Sequence, residues 1–452
     1  MATTAAETGA RRQLLVRWVS SVVACAATAA VAVASCTPTG APPGPTPVPG
    51  PSAGPSVGPE TAPEAAAEPT IRVGVLVAAT AATIAGSSGL SVSDPSGARL
   101  AEIPAGESWR VAAGSAGVVV LSPGGAASSA SEVIEIASPD STALVQVNGR
   151  AYRGTITALR NGTGVTVVDR LPMEAYLAGV VSAEMGRRSL TEQEALRAQA
   201  IVSRTYALRN LRRWDAQGFD LYASVSDQVY GGAAAETPEG REAVETTRGR
   251  ILTYGGAPID AFFYSTCGGR TADGTEVFRA ANRPYLRSVA DVAEDGTAYC
   301  SISPRFRWHV EWTGEALRAT LQRTLPALAA ATRATIPTDV SEVRDVRVTY
   351  RTPSGRVGQL AIGLRGGDVR VDGPNVRQVL RPPTGELLRS STFTLTVSGA
   401  GRGVTRLAAD GAGAGHGVGF CQWGAVGRSR AGQDHERILA EYYPGAVLER
   451  LY

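Results

Sequence analysis

Lysine is absent from this 452-residue chain, and all 44 of its basic residues are arginine. That excludes Schiff-base catalysis and a phosphate-loop lysine. Histidine is nearly absent too: His309, His416 and His435 are the three present, too few for a histidine-rich metal site. The five cysteines are Cys25, Cys36, Cys267, Cys300 and Cys421. No CxxC pair occurs among them, so the usual spacing signal for structural zinc is missing. Excess charge is missing as well. With 44 basic against 41 acidic residues the net charge is +3, which gives no electrostatic footprint for nucleic acid. No cofactor is expected.

The first residues have a clear pattern. Arg11, Arg12 and Arg17 precede an uncharged apolar stretch over residues 18–34, short for a spanning helix and right for a signal sequence. It ends Val33-Ala34-Ser35-Cys36, which resembles the lipobox of bacterial lipoproteins, where the cysteine is lipidated and becomes the new N-terminus. Residues 1–36 are therefore expected to be a signal peptide with Cys36 as lipidation site, the alternative being a plain signal peptide that happens to hold a cysteine. Residues 37–70 are Pro, Gly, Ala, Ser and Thr with almost no large apolar side chain, a composition that cannot offset its ordering entropy. They read as a spacer. The expected location is extracytoplasmic, tethered to the membrane only through the lipid, or else secreted. In an oxidising exterior, one disulfide and one free thiol is the simplest count for the remaining cysteines. Cys267–Cys300 is the preferred pair, contributing about 3–4 kcal/mol on the chain-entropy model.

Residues 71–169 read as a β-rich part. Short β-branched runs at 71–77, 117–121, 133–136, 144–147 and 165–168 are broken by Gly, Pro, Ser and Asn clusters. Pro172 then opens a helix to about residue 184, with Gly186 just past its end. A second helix is expected from Thr191, capped by Glu194, to about Arg213. Gln199, Val202, Ser203 and Tyr206 share one stripe of it. Residues 315–331 read as helical, and 346–363 as a hairpin across Pro353-Ser354-Gly355. A glycine-rich loop spans 411–427, followed by a short amphipathic helix ending at Tyr442-Tyr443. The fold class is α+β, strand-rich, with a central helix pair, and residues 170–452 form its main core.

The loop Gly415-His416-Gly417-Val418-Gly419 is not a dinucleotide fingerprint, because no βαβ unit fits between it and the C-terminus. His416 and Cys421 have the residue types of a thiol nucleophile and base, but no orienting third residue is identifiable. Glu184 is the carboxylate singled out. At a helix C-terminus, among apolar neighbours, both the macrodipole and desolvation raise its pKa, as a general acid requires. On local features alone it reads more readily as a surface glutamate in a helix-end turn. Glu174 and Glu184 lie roughly 15 Å apart along one helix. Paired glycosidase carboxylates are about 5–9.5 Å apart, so a two-carboxylate mechanism is disfavoured.

Several ordered blocks resemble the SpoIID/LytB family, named for stage II sporulation protein D and the amidase enhancer. They are Tyr152-Arg153-Gly154, Leu171-Pro172-Met173-Glu174-Ala175-Tyr176-Leu177, Glu184-Met185, 194–200, Arg204-Thr205-Tyr206-Ala207, Asp227-Gln228-Val229-Tyr230-Gly231, 265–271, Pro284-Tyr285-Leu286 and 416–425. The resemblance implies either of two activities on peptidoglycan glycan strands. One is lytic transglycosylation of strands stripped of stem peptides, and the other is non-catalytic wall binding that enhances a partner cell-wall amidase. It implies Glu184 as the acid/base. It places Gln199, Arg204 and Tyr206 in support on the neighbouring helix. It implies that Ser265, Gly268, Gly269, His416 and Gln422 line the groove, with tight-turn structure the equal alternative, and that Trp423 stacks on a sugar, although a core tryptophan is the commoner outcome. Some relatives carry metal ligands just before the Gln-Val-Tyr block. Here that stretch is Ser224-Val225-Ser226-Asp227, without His or Cys, so no zinc is expected. The segment Met185-Gly186-Arg187-Arg188 departs from the family's usual Met-Pro, which leaves the shape beside Glu184 open.

Overall fold

A computed structural model describes residues 66–452 apart from 141, 279–280, 338 and 400–402. Cys36, the signal segment and nearly all of the spacer lie outside the described residues. Within them the fold is α+β and strand-rich. The β-branched runs pair as their alternation requires. Strand Gly164–Pro172 lies between Thr70–Ala79 and Thr155–Asn161 in a seven-stranded sheet. A five-stranded sheet, ordered from Gly117–Leu121 through Ser108–Gly114 and Ala81–Gly86, shares its hydrophobic cluster. Ala81–Gly86, Leu90–Ser93, Arg99–Ile103 and Ser108–Gly114 fall outside the expected runs. They hold few large apolar residues, and neighbouring strands rather than propensity place them.

The chain leaves the seven-stranded sheet at Pro172 directly into helix Met173–Met185, as its N-terminal proline predicts. Ten of the thirteen residues of this helix are buried, eight of them apolar or glycine, so it sits inside the fold. It stops where Gly186 adopts φ +68, and the Gly186 N–H bonds the Ser182 carbonyl at 2.9 Å. A side chain at that φ costs energy, which makes the glycine a fixed stop beside Glu184.

The second helix corrects the expected cap. Ser189 and Glu192 form the reciprocal capping box, on a short 3-10 turn at Leu190–Glu192, and the α-helix is Gln193–Arg209. Both Ser189/Glu192 and Thr191/Glu194 satisfy the S/T-x-x-E pattern. Tertiary contacts choose between them, because Glu194 instead accepts the His435 backbone N–H at 2.9 Å. The helix ends short of Arg213. The Asn210 side chain donates to the Tyr206 carbonyl at 2.8 Å, competing with the next turn.

Residues 308–409 hold a second hydrophobic cluster. The expected hairpin is present there as Val343–Arg351 with Val357–Leu364, and helix Gly314–Thr332 contributes Leu317, Leu321 and Leu325. Beyond it, the expected glycine loop is shorter than predicted. Phe420–Cys421 pairs in parallel with Phe263–Tyr264, and Gln422–Arg430 is a helix. Among the described residues no helix is long and apolar enough to cross a membrane.

Candidate functional site

Glu184 occupies the last turn of Met173–Met185, where unsatisfied carbonyls disfavour a negative charge. It is half-buried. One carboxylate oxygen, Oε1, accepts the Val229 backbone N–H at 2.7 Å. The other, Oε2, lies 3.5 Å from the Gln422 amide nitrogen. That nitrogen also lies 3.4 Å from Oε1 of Gln199, whose own amide donates to Ser203 Oγ at 2.9 Å. Burial pushes the Glu184 carboxyl above its ordinary value, while the bonds from Val229 and Gln422 pull the other way, and burial prevails. Among the described residues no arginine pairs with it, so no cation offsets burial and the carboxyl keeps its proton to higher pH than an exposed glutamate does.

Gln422, and through it Gln199, is thus brought to Glu184 from a helix far away in sequence. Tyr206 acts one step away: its hydroxyl donates to Asp227 Oδ1 at 3.1 Å. Asp227 also accepts from Arg213 at 3.0 Å, from the Trp214 indole at 3.0 Å and from the Tyr222 backbone at 2.9 Å. This buried hub fixes the segment that presents the Val229 N–H, and Tyr176 donates to Gln228 within it at 3.1 Å. Sequence reasoning gave Asp227 and Val229 no role. Their signal was the block Asp227-Gln228-Val229-Tyr230-Gly231 itself, an acid three residues before a tyrosine.

Among the described residues, the other expected site residues make no hydrogen bond to Glu184. Arg204 is fully buried and forks onto Glu174 at 2.9 and 2.6 Å, with its remaining N–H groups on the carbonyls of Arg250 and Val244. It holds the core together and does not reach Glu184. His416 uses both ring nitrogens on backbone: Nε2 donates to the Phe263 carbonyl at 2.9 Å and Nδ1 accepts from Val418 at 3.1 Å. Ser265 accepts the Trp423 backbone N–H on its carbonyl at 3.0 Å. Gly268 and Gly269 form the turn after Cys267 at φ +81 and +112. Trp423 is half-buried, and Arg188, which sequence reasoning left without a role, stacks 4.5 Å from the ring centroid. Cys267 and Cys300 do come together as expected, with their sulfurs 3.3 Å apart against about 2.05 Å for a bond.

Gln422→Ala removes a donor to the ionised Glu184, so the carboxyl rises further. Any activity requiring its proton is expected to extend to higher pH, and an unmoved alkaline limb in the pH–rate profile would contradict this. Burial pushes His416 down from 6.5 to about 3 in the folded chain. Between those values only the unfolded chain takes up the proton, so stability contributed by the neutral ring is present above pH about 6.5 and lost as pH falls. His416→Gln is expected to flatten the urea midpoint between pH 6.5 and 4 relative to the parent.

Comparison with known proteins adds to this geometry. The family model "Stage II sporulation protein" (SpoIID) matches residues 161–254, which contain Glu184, Gln199, Arg204, Tyr206 and Val229. A second model, a domain of unknown function (DUF8618), matches residues 299–419, the region of the second hydrophobic cluster. An uncharacterised protein of Brachyspira hyodysenteriae is 30% identical over 300 residues, covering 66% of this chain and 72% of that protein. Stage II sporulation protein D of Bacillus subtilis is 29% identical over 297 residues, 62% of this chain and 75% of its own. The amidase enhancer of Bacillus subtilis is 26% identical over 326 residues, 67% of this chain and 45% of its own.

Proposed function

We propose, starting from the fact that this chain belongs to the SpoIID family, that it acts on the bacterial cell wall outside the membrane and cleaves peptidoglycan glycan strands as a lytic transglycosylase. The observation that carries this reading is Glu184: a half-buried carboxyl with raised pKa, held by a backbone N–H and a neutral amide. Lytic transglycosylation needs one such group. Glu184 gives its proton to the glycosidic oxygen as the C1–O bond breaks and an oxocarbenium-like centre forms. The resulting carboxylate takes the proton of the same sugar's C6 hydroxyl as O6 bonds to C1. The proton count returns to its start, no water enters, and the product carries an anhydro ring.

Glu174 is not a second catalytic carboxylate in this scheme, since both its oxygens are bound by Arg204 and it also accepts from Tyr452 at 2.6 Å. Incubation with glycan strands stripped of peptides, followed by mass spectrometry, tests the reading. Anhydro-muramic ends are expected, and reducing muramic ends would replace transglycosylation by hydrolysis. The relative named amidase enhancer supports a second reading, a wall-binding partner that stimulates an amidase. Glycan binding without products, together with faster amidase turnover, would establish that one instead. A lipid anchor on Cys36 completes the proposed placement, and mass analysis of the mature N-terminus tests it.

A further inference from the structure

Cys267 and Cys300 lie 33 residues apart, and Cys267 and Cys421 lie 154 apart, yet the fold gathers all three with Asp291. One donor atom from each of the four lies within 4.8 Å of the others, and all four residues are buried. Cys267 Sγ is 3.3 Å from Cys300 Sγ and 3.1 Å from Asp291 Oδ2. A tetrahedral ion with bonds of about 2.3 Å to sulfur separates its ligands by about 3.8 Å, a spacing these side chains reach with small rotations. We propose that Cys267, Cys300, Cys421 and Asp291 form a structural binding site for one thiolate-loving divalent cation, of which zinc is the fitting member.

The surroundings are built for thiolates. Cys421 Sγ accepts the backbone N–H of Gly424 at 3.2 Å and of Cys267 at 3.1 Å, from the N-cap of helix Gln422–Arg430. Cys267 Sγ accepts from Gly269 at 3.3 Å. Backbone donors and a helix N-terminus both favour a negative sulfur. The carboxylate is oriented from outside, as metal-bound carboxylates are: Asp291 Oδ1 accepts from Arg428 Nε at 3.0 Å and Tyr442 at 2.8 Å, which turns Oδ2 to the sulfurs. Space is cut to fit, because a Cβ on Gly424 would stand 2.1 Å from that same Oδ2. Three thiolates and a carboxylate buried beside one arginine call for a dication. Its binding sends the thiol protons to solvent.

A Cys267–Cys300 disulfide is the competing state, and it uses neither the third sulfur nor Asp291. The expectation of no zinc rested on missing CxxC spacing and on the residues before Asp227, and this cluster lies at neither. Because Cys421 immediately precedes Gln422, the ion would also hold the amide that faces Glu184.

The test is metal content of the full-length protein purified without chelators, with thiols titrated after unfolding. About one zinc per chain and three reactive thiols from the described region are expected, and Cys300→Ser and Cys421→Ser should each lower zinc at least tenfold. Cobalt substitution should give the intense sulfur-to-metal charge-transfer absorption of tetrahedral thiolate sites. A chain without metal whose mass is lower by two hydrogens would establish the disulfide and overturn the proposal. Three free thiols that take up neither zinc nor cobalt would overturn it equally. Neither readout depends on glycan cleavage, so the site and the proposed activity fail separately.

Discussion

Glu184→Gln is expected to lower glycan cleavage by about 10²–10⁴-fold, the usual worth of a positioned general acid–base. The amide keeps the size of the side chain and can still accept the Val229 N–H, so glycan binding should persist. Stability should move the opposite way. The folded chain holds the Glu184 proton more tightly than the unfolded chain does. Stability from the protonated form is present below pH about 4.5 and lost as pH rises through the raised value. The glutamine variant escapes this loss and should unfold no more easily than the parent at neutral pH. For the parent, kcat/KM should fall as pH rises through the same value. A folded variant that retains cleavage within a few-fold would remove Glu184 from the chemistry.

Arg204→Ala should have the largest effect on stability, about 3–5 kcal/mol, because it leaves Glu174 as a buried charge without its cation. The side chains of this pair are 0% and 7% exposed. Pairing Arg204→Met with Glu174→Leu should recover much of the loss, since replacing both partners by apolar groups of similar volume removes the stranded charge. Urea unfolding of the two variants measures both. If Arg204 instead bound glycan, Arg204→Ala would raise KM in a chain of unchanged stability.

These two residues show how far the sequence reading reached. Glu184, Gln199 and Gln422 were legible because several ordered motifs agreed, although Glu184 alone looked like an ordinary helix-end glutamate. Arg204 carried the same family signal as Gln199, yet it faces a buried carboxylate and Gln199 faces the site. Residues five apart on a helix point in different directions, and only the packing around Gln193–Arg209 says which direction is core. The Ser189 cap shows the same limit, since two overlapping boxes were equally good locally and a contact from His435 chose between them.

The sequence by itself determined the arginine-only chemistry, the strand-rich α+β class, and the helix that starts at Pro172 and stops at Gly186. These follow from composition, short-range periodicity and local backbone preference. Only the tertiary structure decided that Asp227 anchors the Val229 donor, that His416 is tied to backbone at both ring nitrogens, and that three distant cysteines meet around Asp291. Those facts depend on which buried polar groups find one another. Buried groups must be satisfied by partners at any sequence separation, and no local pattern records that choice.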